Sequence, residues 1–163
     1  VIVMVGDGSY LMLCNEIVTS IQEGYKLIIV LMDNQGFKSI GGLSRSLGQE
    51  GFGTRYAFPI NNKLPDDGTR EVEALPVNFA MNARGLGAHV IECKSYDDFV
   101  KGFKESKKTD RTTVICVQND RYVGVPGYES WWDVPVAEVS EMDSVQKARK
   151  KWEQNSKLER FYF

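Results

Sequence analysis

Several things are scarce in this chain of 163 residues, and each scarcity excludes something. There are three cysteines, Cys14, Cys93 and Cys116, with no Cys-x-x-Cys among them. The odd count and the scatter, on expected helix or strand positions, read as reduced core thiols in a cytoplasmic protein. The only histidine, His89, falls at the start of an expected strand, away from the edge where ligands collect, and is read as structural. The formal net charge is only −2, which gives no reason to expect nucleic acid as a partner. No apolar run approaches membrane-spanning length, and no signal peptide is visible; a cytoplasmic protein without a membrane partner is expected. Phosphate motifs are incomplete. There is no Gly-Lys-Ser/Thr for a P-loop, and the third glycine of a dinucleotide fingerprint is replaced by Leu11. What remains is ordinary: 42% hydrophobic and 26% charged residues, as in a globular domain with a real core.

Against this background one constellation stands out. Gly6-Asp7-Gly8-Ser9 is followed, after one helix-and-strand unit, by Asp33-Asn34-Gln35-Gly36, and Asp7 and Asn34 are 27 residues apart. Val1–Val5 and Leu27–Met32 are short apolar runs, which read as strands buried on both faces. Between them Leu13, Ile17 and Ile21 recur at helical spacing, and Gly24 supplies a stop. This is a βαβ crossover, so both motifs are expected at the carboxyl ends of neighbouring parallel strands, where ligands gather. Gly6 and Gly8 permit close backbone approach. The amides that follow open a helix suited to a phosphate. Asp7 offers a hard anionic oxygen, Asn34 a neutral one and Gly36 a backbone carbonyl. With diphosphate oxygens and water these suit the near-octahedral shell of Mg²⁺. Taken alone, Gly-Asp-Gly is a common turn; the helix, strand and Asp33-Asn34 behind it make a ligand site the better reading.

Gly6-Asp7-Gly8-Ser9, Glu16-Ile17-Val18-Thr19 and Asp33-Asn34 together resemble the signature of the thiamine-diphosphate enzymes. The resemblance implies that Asp7, Asn34 and the carbonyl of Gly36 bind Mg²⁺. It also implies that Gly6, Asp7, Gly8, Ser9, Asn34, Gly36 and Phe37 line the thiamine diphosphate site. Asp33 stands where the family usually has a first Asn, a position whose side chain is not a metal ligand. Downstream, Ser39–Ser44, Phe52-Gly53-Thr54-Arg55 and Gly127–Pro135 resemble the branch of the family that hydrolyses a cyclic 1,2-diketone in inositol catabolism. That implies C–C ring cleavage without net redox change, giving a 5-deoxyhexuronic acid. An acetolactate-synthase-like carboligase and a non-catalytic assembly domain are the alternatives. In the family the activating Glu lies on a separate pyrimidine-binding domain, in the full-length chain or a partner subunit. No residue here matches it, so no catalytic residue is assigned. The resemblance further implies a homo-oligomer.

The expected fold is α/β, a doubly wound, mostly parallel sheet in one domain over residues 1–163, with residues 119–163 as a C-terminal extension and helix. The chain opens inside a strand without an initiator Met and is expected to be the C-terminal part of a longer polypeptide. The glycine-rich stretch from Gly36 to Gly53 reads as a loop over the strand ends. Pro76 is placed in the first turn of a helix carrying Phe79, Ala83 and Leu86. Val90-Ile91 and Thr112–Val117 read as two further strands, with a helix between them capped by Ser95 and Asp98. The last helix is expected to begin between Ser140 and Ser144, with Val145, Ala148 and Trp152 on one face. The basic cluster Lys147, Arg149, Lys150 and Lys151 reads as its solvated face. Tyr128, Trp131 and Trp132 suit a local core, an interface or an active-site lid.

Overall fold

The computed structural model describes residues 1–124 and 133–160. The chain forms two compact units, one of residues 1–37 and 73–121, the other of residues 38–72 and 122–163.

The first unit is built on a four-stranded, wholly parallel sheet. Its strands are β1 (Ile2–Gly6), β2 (Ile28–Asp33), β3 (His89–Cys93) and β4 (Thr113–Gln118), in the order β1-β2-β4-β3. The central strands are the apolar ones. Val30, Leu31, Val114 and Ile115 are at most 2% exposed, as expected where helices cover both faces of a parallel sheet. On one face Ile28, Val30, Cys93 and Ile115 form a core with Ile91, Phe99 and Phe103. The two phenylalanines belong to α5 (Tyr96–Lys108), whose N-terminus is capped by the Ser95 hydroxyl accepting from the Asp98 N–H at 3.1 Å. Elsewhere in the unit α1 (Asp7–Leu13) meets α4 (Phe79–Gly85). Tyr10 and Phe79 pack edge to face at 5.8 Å, and the Tyr10 hydroxyl donates to Asn82 Oδ1 at 2.8 Å. His89 opens β3, and its Nε2 lies 3.0 Å from Glu105 Oε1 on α5, a structural tie.

Four expectations need correction. First, Val1–Val5 is not buried on both faces. β1 is an edge strand, with Ile2 56% and Met4 73% exposed. An apolar run has the same appearance at the edge of a sheet as at its centre. Second, the segment between β1 and β2 is two helices, α1 and α2 (Glu16–Gln22), separated at Cys14 and Asn15. Ile17 is buried, whereas Leu13 is exposed. Third, Pro76 precedes its helix; Asn78 is the N-cap, accepting from the Met81 N–H at 2.8 Å. Fourth, the glycine-rich stretch contains a helix, α3 (Lys38–Ser46), in the second unit.

In that second unit Gly41 of α3 is buried for a packing reason. A Cβ there would stand 2.6 Å from both Asp67 Oδ1 and Thr54 Oγ1. Asp67 is itself buried and accepts from Lys38 Nζ at 3.0 Å. The last helix, α6 (Asp143–Ser156), buries Val145 completely, and Ser144 donates its hydroxyl to the Gly48 carbonyl at 2.7 Å. Of its basic cluster only Arg149 is drawn in. It pairs with Glu153 at 2.8 Å, donates to the Val136 carbonyl at 3.0 Å and lies over Trp152. Lys147, Lys150 and Lys151 are exposed. Trp152 donates from its indole nitrogen to Asp133 Oδ1 at 2.8 Å. Tyr128, Trp131 and Trp132 lie outside the described residues. Among the described residues no helix is long and apolar enough to cross a membrane.

Candidate functional site

The carboxyl ends of β1, β2 and β4 meet at one edge of the sheet. Gly6 pairs with Met32, and Asp33 pairs with Gln118. The Asn119 N–H extends the second pairing to the Asp33 carbonyl at 2.7 Å. The Gly6–Ser9 turn and the Asp33–Gly36 turn are thereby fixed side by side.

Asp7 is the hinge of this arrangement. It is the first residue of α1, is 1% exposed, and accepts three backbone N–H groups. Gly8 donates to Oδ1 at 2.9 Å, and Asn34 and Gly36 donate to Oδ2 at 3.2 and 2.8 Å. The Gly8 amide is thus turned to Asp7, while Ser9 is exposed. Gly36 is buried with φ +142°, a conformation that favours glycine. Gly8 is closed over by Phe37: a Cβ on Gly8 would fall 2.5 Å from Phe37 Cδ1. Gly8→Ala is therefore expected to displace the Phe37 ring and to destabilise the fold by about 1–3 kcal/mol, read from the denaturant midpoint.

The Asn34 side chain has the opposite character. Its Oδ1 is buried and accepts no hydrogen bond from any described residue. Buried acceptors are normally satisfied, so an orphan of this kind needs an explanation. A hard cation beside it is one, because Asp7 lies within one hydrogen bond of the Asn34 backbone and keeps acceptor capacity on Oδ1. Among the described residues no three His, Cys, Asp or Glu gather as a cation site. The donors here are one carboxylate, one amide oxygen and backbone oxygen, the hard set that suits Mg²⁺. Asp33 accepts from the Gln35 N–H at 3.0 Å. Burial pushes its carboxyl above the usual range; the Gln35 hydrogen bond opposes that and the Asp7 charge adds to it.

The sequence reading missed one residue. Arg121 is 4% exposed and donates from Nη1 to the carbonyls of Asn34 and Gln35 at 3.0 and 2.7 Å. The available signal was its place three residues after β4, at the edge where the two motifs lie.

Cys116 on β4 is a free thiol. Burial, then the charges of Glu92 and Asp33, push it up to about 12. Thiolate reagents at pH 8 are expected to modify it roughly 10³-fold more slowly than a free thiol, followed by mass spectrometry of maleimide adducts. The sign for stability follows. The folded state holds the neutral thiol, so this contribution is complete below about 9 and is lost as pH climbs towards about 12.

A parallel α/β sheet with a carboxylate and an orphaned amide oxygen at its ligand edge defines a cofactor-binding domain. Residues 1–117 match the family described as thiamine pyrophosphate enzyme, C-terminal TPP binding domain, and the chain belongs to it. Among curated proteins it is 36% identical over 159 residues to the 3D-(3,5/4)-trihydroxycyclohexane-1,2-dione hydrolase of Geobacillus thermodenitrificans, covering 98% of this chain and 24% of that protein. It is 38% identical over 147 residues to 3D-(3,5/4)-trihydroxycyclohexane-1,2-dione hydrolase 2 of Bacillus cereus, covering 89% and 22%. The chain thus spans about a quarter of the length of these relatives. Two solved structures share the fold. One is a thiamine diphosphate-dependent 4-hydroxybenzoylformate decarboxylase of Rhodococcus jostii RHA1 (TM-score 0.55, 20% identity, 73% of this chain and 19% of that one). The other is a benzoylformate decarboxylase of Polynucleobacter necessarius (TM-score 0.57, 16% identity, 74% and 19%).

Proposed function

We propose that this chain is the diphosphate- and Mg²⁺-binding part of a thiamine-diphosphate enzyme that hydrolyses trihydroxycyclohexane-1,2-dione to 5-deoxyglucuronate in inositol catabolism. The observation that carries the metal assignment is the buried Asn34 side-chain oxygen, which no described residue satisfies, on a residue whose backbone N–H donates to the Asp7 carboxylate. The substrate rests on similarity, over 98% of the chain, to a relative named for that reaction. Asp7, Asn34 and the Gly36 carbonyl would hold the cation, whose charge would offset that of a diphosphate. Gly6, Gly8, Ser9 and Phe37 would border the cofactor. The cofactor would supply the means of breaking a bond next to a carbonyl; the protein would bind and orient it. The overall change is hydrolytic. One water is consumed, the bond between the two carbonyl carbons breaks, and a carboxylate and an aldehyde result. No oxidant is needed.

The reading includes a pyrimidine-binding domain, in the full-length chain or a partner subunit, and a homo-oligomer. The experiment is to supply the full-length protein with thiamine diphosphate, Mg²⁺ and either the cyclic dione or pyruvate, and to identify products by mass spectrometry. Ring-opened acid from the dione is the expected result. Product from pyruvate alone would replace the hydrolase with a carboligase. The 163-residue chain by itself is expected to be inactive, and turnover by it would refute the division of labour.

A further inference from the structure

The turn that carries Asn34 is held at both ends of two consecutive peptide planes. A trans peptide points its N–H and C=O in opposite directions, so fixing one end of a plane aims the other. In the plane joining Gln35 to Gly36, the Gly36 N–H donates to Asp7 at 2.8 Å and the Gln35 carbonyl accepts from Arg121 at 2.7 Å. In the plane joining Asn34 to Gln35, the Gln35 N–H donates to Asp33 at 3.0 Å and the Asn34 carbonyl accepts from Arg121 at 3.0 Å. Between the two planes Gln35 sits at φ +61°, a left-handed conformation uncommon for a residue with a Cβ. Such a backbone persists only where its surroundings over-determine it. Neither of these two bonds takes the Gly36 carbonyl.

We propose that Arg121 is a positioning residue: by clamping the carbonyls of Asn34 and Gln35 it locks the turn that aims the Asn34 amide oxygen at the cation. It acts on the metal through the backbone, with Asp33 and Asp7 anchoring the opposite ends of the same peptides. A planar guanidinium suits this task, because one nitrogen reaches two carbonyls and the charge is never lost by deprotonation. Burying it costs solvation, and the turn it holds carries a buried side-chain oxygen, Asn34 Oδ1, that no described residue satisfies.

The inference rests on the metal reading above, and its test separates the two. In the full-length enzyme, Arg121→Gln and Arg121→Lys would be titrated with Mn²⁺ in the presence of thiamine diphosphate, free Mn²⁺ being read by electron paramagnetic resonance. Arg121→Gln is expected to weaken Mn²⁺ about 10–100-fold, the range typical when a partner behind a metal ligand is lost. Arg121→Lys is expected to recover part of that loss, because an ammonium still donates to both carbonyls but without the planar fork. In turnover assays the defect should lie in the apparent affinity for metal and cofactor, with kcat recovering at saturation. If Arg121→Gln fails to fold, Arg121→Lys decides. Wild-type affinity in both variants, alongside lost affinity in Asp7→Ala and Asn34→Ala, would overturn this inference alone. Wild-type affinity in Asp7→Ala and Asn34→Ala would overturn the metal reading and the inference with it.

Discussion

Asp7→Ala is expected to abolish Mg²⁺-dependent cofactor binding and to weaken the fold at the same time. The carboxylate accepts from Gly8, Asn34 and Gly36, and it joins the end of β1 to the turn after β2. Alanine leaves those amides without an acceptor in a site where Asp7 is 1% exposed. Two of the three bonds, those from Gly8 and Gly36, are buried, and a buried donor left unpaired costs about 1–3 kcal/mol, so a total of about 2–6 kcal/mol is expected. A domain in all but the lowest part of the typical margin of about 5–15 kcal/mol would survive this but would melt markedly earlier. The loss of affinity should exceed the roughly 100-fold that follows from disturbing a partner behind the metal, because a direct oxygen ligand is gone. Calorimetric titration of the full-length protein with thiamine diphosphate, with and without Mg²⁺, measures the first effect. A denaturant melt without metal measures the second. Near-wild-type affinity would remove Asp7 from the cation site.

Asn34→Ala is expected to produce an equal loss of cofactor binding with none of the loss of stability. The Asn34 Oδ1 accepts no hydrogen bond from any described residue although it is buried. Removing an acceptor that no described residue satisfies takes away a desolvation cost and leaves no partner stranded. The metal-free protein should therefore melt at the wild-type denaturant concentration or slightly above it. Its Asn34 N–H still donates to Asp7, so the turn keeps that tie. The contrast with Asp7→Ala is diagnostic: one residue serves both fold and site, the other the site alone. A clear fall in metal-free stability would show that Asn34 has a structural partner after all. Unchanged Mg²⁺-dependent affinity would take it out of the shell.

Much of this site was legible in the sequence because its signals are local. Gly6-Asp7-Gly8 and Asp33-Asn34 carry their chemistry in residue type, and the apolar runs at Val1–Val5 and Leu27–Met32 place both motifs at strand ends. Parallel pairing of β1 with β2 follows from the intervening helical segment, and the structure has it. The capping of α5 by Ser95 was equally readable, since a cap and its amide lie three residues apart.

Tertiary structure decided whatever depends on residues far away in the chain. Whether β1 was edge or centre rested on its neighbours in the sheet, and only the order β1-β2-β4-β3 exposes Ile2 and Met4. The helix α3 runs through Gly41 and Gly42 against their poor propensity. At Gly41 the missing side chain is what lets Asp67 and Thr54 approach. Arg121 acquired a role because β4 delivers it to a turn 86 residues earlier. The three amides on Asp7 and the orphaned Asn34 oxygen belong to the same category. Residue types and their spacing thus determined by themselves which groups could hold a diphosphate and a hard cation. Only the packed chain decided which of those groups are satisfied by described residues and which is not, because hydrogen bonds are shared out in space and not along the sequence.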